Sequence, residues 1–300
     1  MLAFLLLWLA GCASEAQLDV AEGIGPAPKL PPPVPERIPT VEIAKATGWA
    51  EGRRPEPAAG LRVTAFAQQL EHPRWLHVLP NGDVLVAETA APERPEENHG
   101  LRGWLMKYFM KKAGAVVPSA NRITLLRDAD GDGRAEVRSV FIEGLNSPFG
   151  MALVGDDFYV ANTDAVVRFP YQPGQRQITA AATKVASLPA GPRNHHWTKS
   201  LIASPDGRKL YATVGSNSNV AEHGMAEEQG RASIWEIDRA SGAAREYATG
   251  LRNPNGLAWV AETGALWTAV NERDELGGDL VPDYMTAVRD GGFYGWPYSY

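Results

Sequence analysis

Residues 193–199 (RNHHWTK) are the stretch richest in groups that can move a proton. Histidine titrates closest to neutral pH, which makes His195 and His196 candidates for a general base. Zinc is a second use if His223 joins the pair. Neighbouring histidines on an extended chain point opposite ways, however, and rarely reach one metal. A third reading is a pair that only fills structure. Three further polar loops follow. Residues 215–219 (GSNSN) offer Asn217 and Asn219, whose amides can bind a ligand or close turns. Residues 250–256 (GLRNPNG) place Arg252, a planar donor fork suited to carboxylate or carbonyl oxygens, beside Asn253. Residues 271–279 (NERDELGGD) begin with Asn271, Glu272 and Arg273 and add Asp274 and Glu275.

A separate cluster lies at residues 128–136 (DADGDGRAE). Asp128, Asp130 and Asp132 stand at every other position before a glycine. Such carboxylates converge on a hard cation when the loop is tight. An EF-hand would need an acid at its twelfth position, where this chain has Ser139. Calcium binding and a plain solvated hairpin turn both remain open here.

The elements that must hold these loops recur along the chain. From residue 61 onward a phrase repeats: an apolar strand, a Pro or Gly turn, a second apolar strand, a polar turn and a third strand. Its clearest copies are residues 70–88, 145–162, 201–215 and 251–270. Asn81-Gly82, Asp206-Gly207 and Thr263-Gly264 sit between alternating apolar residues, a strong hairpin signal. Period-2 strands recurring every 50–75 residues or so fit propeller blades with insertions. A β-sandwich would not explain the recurrence. The polar loops fall at equivalent points of successive repeats, so a propeller gathers them on one face around its centre. Four blades are expected, with a fifth starting. Residues 88–122 interrupt the pattern. Within them residues 100–112 (GLRGWLMKYFMKK) read as a basic amphipathic helix, fit for a membrane surface, a lid, a dock for an acidic electron acceptor, or plain packing on the domain.

The remaining composition narrows the classes. The chain has 300 residues and a net charge of −6, which gives no basic face for nucleic acid. Thirty glycines and 23 prolines favour turns over long helices. Residues 2–10 form an unbroken apolar run, too short to span a bilayer at about 20 residues but suited to a secretory signal. The run ends Leu9-Ala10-Gly11-Cys12, which resembles a bacterial lipobox. That resemblance implies cleavage before Cys12, the sole cysteine, and a lipid anchor there. No Lys or Arg precedes the run, a departure from that pattern. Ala13, rather than Asp, points to the outer membrane. Residues 13–60 read as a Pro-rich tether.

The phrases RITLLRDADGDG, GLNSPFGMAL, HHWTKSL, SPDGRKLYATVGSNSN, GLRNPNGLAW, VNERDELGGDLVPDY and GGFYGWPYSY, in this order, resemble the sorbosone branch of the glucose/sorbosone dehydrogenases. The resemblance covers about residues 61–300. It implies an all-β, six-bladed propeller on the periplasmic side, of which this chain holds only part. It also implies pyrroloquinoline quinone and calcium as cofactors, a sugar or aldehyde substrate, and an electron acceptor the sequence does not identify. By that resemblance His196 is the catalytic base, and Arg252 and Asn253 contact the quinone. Main-chain carbonyls at Asn271, Glu272 and Arg273 hold its calcium, and Asn217 or Asn219 touches cofactor or substrate. Glucose-oxidising relatives carry an acid before the catalytic histidine, where this chain has His195. Two rivals stand beside this reading. A calcium-dependent lactone hydrolase would use the carboxylates of Glu272, Asp274 and Glu275. A lipid-anchored binding propeller would carry no catalysis.

Overall fold

The computed structural model describes residues 16–34, 47–50, 52–93, 104, 108, 111, 114 and 117–300. Cys12 and most of the expected helix at residues 100–112 lie outside these. Sheet 1 is a meander of β1 (Pro73–Val78), β2 (Val84–Glu88), β3 (Arg122–Arg127) and β4 (Val137–Ile142). Sheet 2 repeats it with β5 (Met151–Val154), β6 (Asp157–Ala161), β7 (Ala165–Pro170) and β8 (Thr183–Ser187). Sheet 3 has β9 (Leu201–Ala203), β10 (Lys209–Val214), β11 (Ser233–Asp238) and β12 (Ala244–Thr249). Sheet 4 has three strands, β13 (Asn253–Val260), β14 (Ala265–Asn271) and β15 (Tyr284–Val288). The expected turns are in place. Gly82 and Gly264 take φ of +88° and +66°, angles that a side chain would strain.

Strand alternation explains how the sheets stack. Along β6, Phe158 and Val160 join Leu85, Leu125 and Phe141 of sheet 1, while Tyr159 and Ala161 join Leu210 and Val214 of sheet 3. Along β10, Leu210 and Ala212 face sheet 2, and Tyr211 faces Leu266 and Val270 of sheet 4. Each sheet between two others therefore buries both faces. Each large side chain so buried contributes about 1.5–3 kcal/mol. The first strands of successive sheets, β1, β5, β9 and β13, lie side by side. This is a β-propeller-like arrangement of four blades, and it excludes a two-sheet sandwich.

Two details differ from the expected pattern. The last strand, β16 (Gly292–Phe293), does not open a fifth blade. It pairs in parallel with β12 at the edge of sheet 3. The cause is a close approach: Gly250 takes φ +75°, and a Cβ there would strike the Phe293 ring and the Gly295 amide. Trp296 then donates its amide to the Gly250 carbonyl at 3.0 Å. The Pro-rich segment also touches the domain. The amides of Gln17 and Leu18 donate to the Asp279 carboxylate, and the Val34 amide donates to the Leu276 carbonyl at 3.0 Å. In the insertion, Trp104 and Tyr108 are helical and stacked, their rings 6.2 Å apart.

Candidate active site

One end of the blades collects the loops after β6, before β9, after β10, before β13 and after β14. Direct hydrogen bonds join them. Thr163 donates to the Trp197 carbonyl at 2.9 Å, and the Ser216 amide donates to the Arg252 carbonyl at 2.7 Å. Arg252 reaches on to Asn219 and to the loop at residues 271–274.

His196 is the most chemically defined group at this end. Its Nδ1 lies 2.8 Å from the Ser216 carbonyl oxygen and 3.0 Å from Ser216 Oγ. The carbonyl can only accept. The hydroxyl spends its proton on the Ser218 carbonyl at 2.6 Å, so it too must accept. These partners assign the proton to Nδ1 and leave Nε2 with the lone pair. Burial pushes the imidazole pKa down to about 3, helped by the charges of Arg252, His195 and Arg231. His196 is thus neutral at neutral pH, with its acceptor lone pair on Nε2.

The histidine pair does not behave as neighbours on a strand. Residues 194–196 form a bend, with Asn194 at φ +35°, so the rings of His195 and His196 stack 5.0 Å apart instead of pointing apart. His223 faces the Arg193 guanidinium at 3.2 Å, a cation that opposes zinc there.

Arg252 is buried and spreads its donors over five oxygens. Nε donates to the Asn219 carbonyl at 3.2 Å, and Nη2 donates to Asn219 Oδ1 at 2.9 Å and Asp274 Oδ2 at 3.0 Å. Nη1 donates to the Asn271 carbonyl at 3.4 Å and to the Glu272 carbonyl. Two of the three carbonyls expected to hold calcium, those of Asn271 and Glu272, therefore point at Arg252. Asn217 and Asn219 are likewise engaged in holding loops. Asn217 Oδ1 accepts from the His195 amide at 3.1 Å, and Asn219 Oδ1 accepts from the Asp274 amide at 2.9 Å. Asn253 differs: its Oδ1 is buried with no hydrogen-bond partner. Gly215 lies against it, and a Cβ at that position would collide with Asn253 Oδ1 and His196 Cβ.

Glu272, Asp274 and Glu275 do not converge on a metal site. Asp274 pairs with Arg252, and Glu272 Oε2 accepts from the Arg273 amide at 3.1 Å. Arg273 buries a partnerless Nε. Among the described residues the one group that can close on an ion is Asp128, Asp130, Asp132 and Glu136, with ligand atoms within 4.8 Å of one another. It lies between β3 and β4, and its carboxylates accept from the loop's own amides, as Asp128 does from Gly131 and Gly133 at 2.7 and 2.9 Å.

Several supporting residues escaped the sequence reading. Glu228 is buried, accepts from the Asn217 amide at 2.7 Å and takes the Ser218 hydroxyl. Asp283 holds the Asn271 side chain at 2.7 Å and the Glu272 amide at 2.9 Å. Trp296 donates its indole N–H to the Asn219 carbonyl at 2.9 Å. No spacing in the sequence ties them to these loops, although Asp283 and Trp296 stand in the phrases VNERDELGGDLVPDY and GGFYGWPYSY.

Comparison with known families now bears on this end of the domain. The TrAA12-like family model matches residues 116–285, more than half of the chain and all of its site loops. The chain belongs to the TrAA12-like family. No curated protein sequence matches it. Solved structures with a similar fold include the holo pyrroloquinoline-quinone (PQQ) domain of pyranose dehydrogenase from Coprinopsis cinerea, at TM-score 0.55 and 20% identity over 73% of this chain and 50% of that one. The calcium structure of the Trichoderma reesei carbohydrate-active AA12 protein matches at TM-score 0.60 and 17% identity, over 77% and 57%. The PQQ-bound aldose sugar dehydrogenase of Streptomyces coelicolor matches at TM-score 0.53 and 20% identity, over 79% and 66%. This TrAA12-like chain thus spans between half and two thirds of their lengths, and the likeness is one of fold. The cofactors expected from the sequence, PQQ and calcium, are those named for these neighbours.

Proposed function

We propose that the chain is part of a PQQ- and calcium-dependent dehydrogenase, of the sorbosone branch, that oxidises a sugar or a related aldehyde or alcohol. The observation that carries this reading is the pairing of a neutral His196, with Nε2 free, and the partnerless buried Oδ1 of Asn253 across Gly215. The oxygens of Asn219, Asn271, Glu272 and Asp274 are of the hard kind that calcium takes, but here they hold Arg252; on cofactor binding Arg252 would release them to the cation and turn its donors to quinone or carboxylate oxygens. Bound PQQ would supply the two-electron acceptor for a hydride.

The chain's own residues then divide the work. His196 Nε2 takes the proton of the substrate hydroxyl, while Ser216 keeps Nδ1 protonated and the ring oriented. Arg252 and Asn253 orient acceptor and substrate from the neighbouring loop. In the complete protein further blades would close a six-bladed ring, and lipid at Cys12 would hold it on the periplasmic side of the outer membrane.

The test uses the full-length protein with PQQ and calcium added. Quinone binding is followed by absorbance, and dye reduction is assayed over a panel of sugars and aldehydes. Stoichiometric binding with dye reduction is expected. A folded protein that binds no quinone would turn the reading to a binding propeller.

A further inference from the structure

The bend that carries His196 is gripped from its buried side by two basic side chains. Lys199 is wholly buried, and its Nζ donates to the carbonyls of His196 at 3.3 Å and Trp197 at 3.4 Å. Arg231, just before β11, donates through Nη2 to Asn194 Oδ1 at 2.9 Å and to the same His196 carbonyl at 3.5 Å. Its Nη1 donates to the carbonyls of Pro189 and Ala190 at 3.1 and 3.0 Å. Asn194 closes the circuit, donating to Thr163 Oγ1 at 2.7 Å, and Thr163 donates to the Trp197 carbonyl. All these bonds of Lys199 and Arg231 go to neutral oxygens. Burying such donors without a hydrogen-bonded carboxylate is costly, burial pushes the Lys199 pKa well below its usual value, and an apolar side chain of Lys199's length would fill the same space. The one main-chain group that both side chains reach is the His196 carbonyl.

We propose that Lys199 and Arg231 are positioning residues for His196: their N–H groups fix its carbonyl so that the imidazole stays seated on Ser216 with Nε2 free. The surroundings agree. From its own segment His196 faces His195 and Lys199; from the β10–β11 connection, Ser216 and Arg231; from the segment before β13, Arg252. The acids stand behind the basic groups: Asp164 near Lys199, Glu228 near Arg231 and Asp274 on Arg252. The charged groups acting on His196 are therefore of one sign, and each disfavours a second proton. The proposal rests on His196 being the base, and gives that base a tautomer set by Ser216 and a seat held by two side chains behind it.

The test reads the histidine directly in the full-length protein without cofactor. Histidine is labelled with ¹⁵N, and the His196 signals are assigned with His196→Gln. In the parent protein the Nδ1–H tautomer is expected, persisting neutral to below about pH 5. In Lys199→Met and in Arg231→Gln, which keeps a donor without the charge, the tautomers should mix, and in Arg231→Gln the midpoint should also rise by about one pH unit. Lys199→Arg, which keeps the donors, should restore the parent tautomer. A role confined to packing would lower the melting temperature in the Met and Gln variants but leave tautomer and midpoint unchanged, and that result overturns the proposal. A parent His196 that titrates near pH 6.5 overturns it as well, whether or not the variants fold. Full turnover by His196→Ala in the loaded enzyme would remove the base assignment without altering the titration, so the two failures are distinguishable.

Discussion

His196 Nδ1 lies 2.8 Å from the Ser216 carbonyl oxygen, so one main-chain group fixes the tautomer of the candidate base. Burial and surrounding cations hold the same imidazole near a pKa of about 3. The sign of the linkage follows. Between pH 6.5 and about 3 the unfolded chain binds a proton that the folded one refuses, so stability falls as pH drops through that window. Above pH 6.5 the group is neutral in both states and contributes nothing. One such proton is worth about 1.4 kcal/mol per pH unit. Melting temperature against pH should therefore fall less steeply below pH 6.5 in His196→Gln than in the parent. The parent's turnover should show no acid limb at pH 6.5, and His196→Ala should lose roughly 10²–10⁴-fold in turnover while still binding quinone.

Gly215 sets the distance between the two sides of the site. An alanine there would press its Cβ into Asn253 Oδ1 and His196 Cβ, and neither can retreat, because Asn253 begins β13 and His196 is held at Nδ1 and at its carbonyl. Gly215→Ala should fold, with an overpacking cost of about 1–3 kcal/mol, yet lose most of its turnover. Dye-reduction kinetics beside thermal unfolding would check it. Turnover within twofold of the parent would show that His196 and Asn253 do not act across this glycine.

Much of this architecture was legible in the sequence, because short apolar runs recur between turn residues. Phe158 and Val160 against Tyr159 and Ala161 is a period-2 pattern whose two faces are both apolar, as a sheet packed between two others requires. The polar loops were legible for the same reason, since each follows at a fixed offset from a recognisable strand. Their internal wiring was not. Glu228 sits ten residues from Ser218 in a stretch without periodicity, and Arg231 meets His196 only because the bend at Asn194 turns the chain toward it. The stacking of His195 on His196 depends on that bend too; a strand would have separated them. The place of β16 hinges on a positive φ at Gly250, a backbone property that an apolar pattern does not encode.

Glu228 holds the loop that faces His195. Both of its carboxylate oxygens are engaged, one by the Asn217 amide and one by the Ser218 hydroxyl, and it is almost fully buried. Glu228→Gln would turn an NH₂ group toward one of these donors and leave it unsatisfied. The expected cost is about 2 kcal/mol, seen as a melting temperature lower by roughly 4–8 °C. Asn217 Oδ1 would then lose its fixed place under the His195 amide, 3.1 Å away. A variant with unchanged melting temperature would mean that this loop is held from elsewhere.

Arg127 joins sheet 1 to its neighbour through a two-pronged pair. Its Nε and Nη2 donate to the two oxygens of Asp83 at 2.6 and 2.7 Å, and Nη2 also reaches the Gly174 carbonyl at 3.3 Å, beyond β7. Asp83 is buried just before β2, where Val84 pairs with Leu126, so the bridge fixes the register of β2 on β3. The guanidinium holds the Asp83 carboxyl below the usual carboxylate range. Its contribution to stability is full above the ordinary carboxylate pKa of about 3.9 and is lost as pH falls through the lower folded value. Asp83→Ala should cost about 2–3 kcal/mol at neutral pH, because it leaves a half-buried guanidinium without its carboxylate. The difference from the parent should be smaller at acid pH than at neutral pH, because the parent's own carboxylate takes up a proton on acidification. Chemical unfolding at the two pH values measures it. A gap of equal size at both would assign the loss to packing rather than to the charge pair.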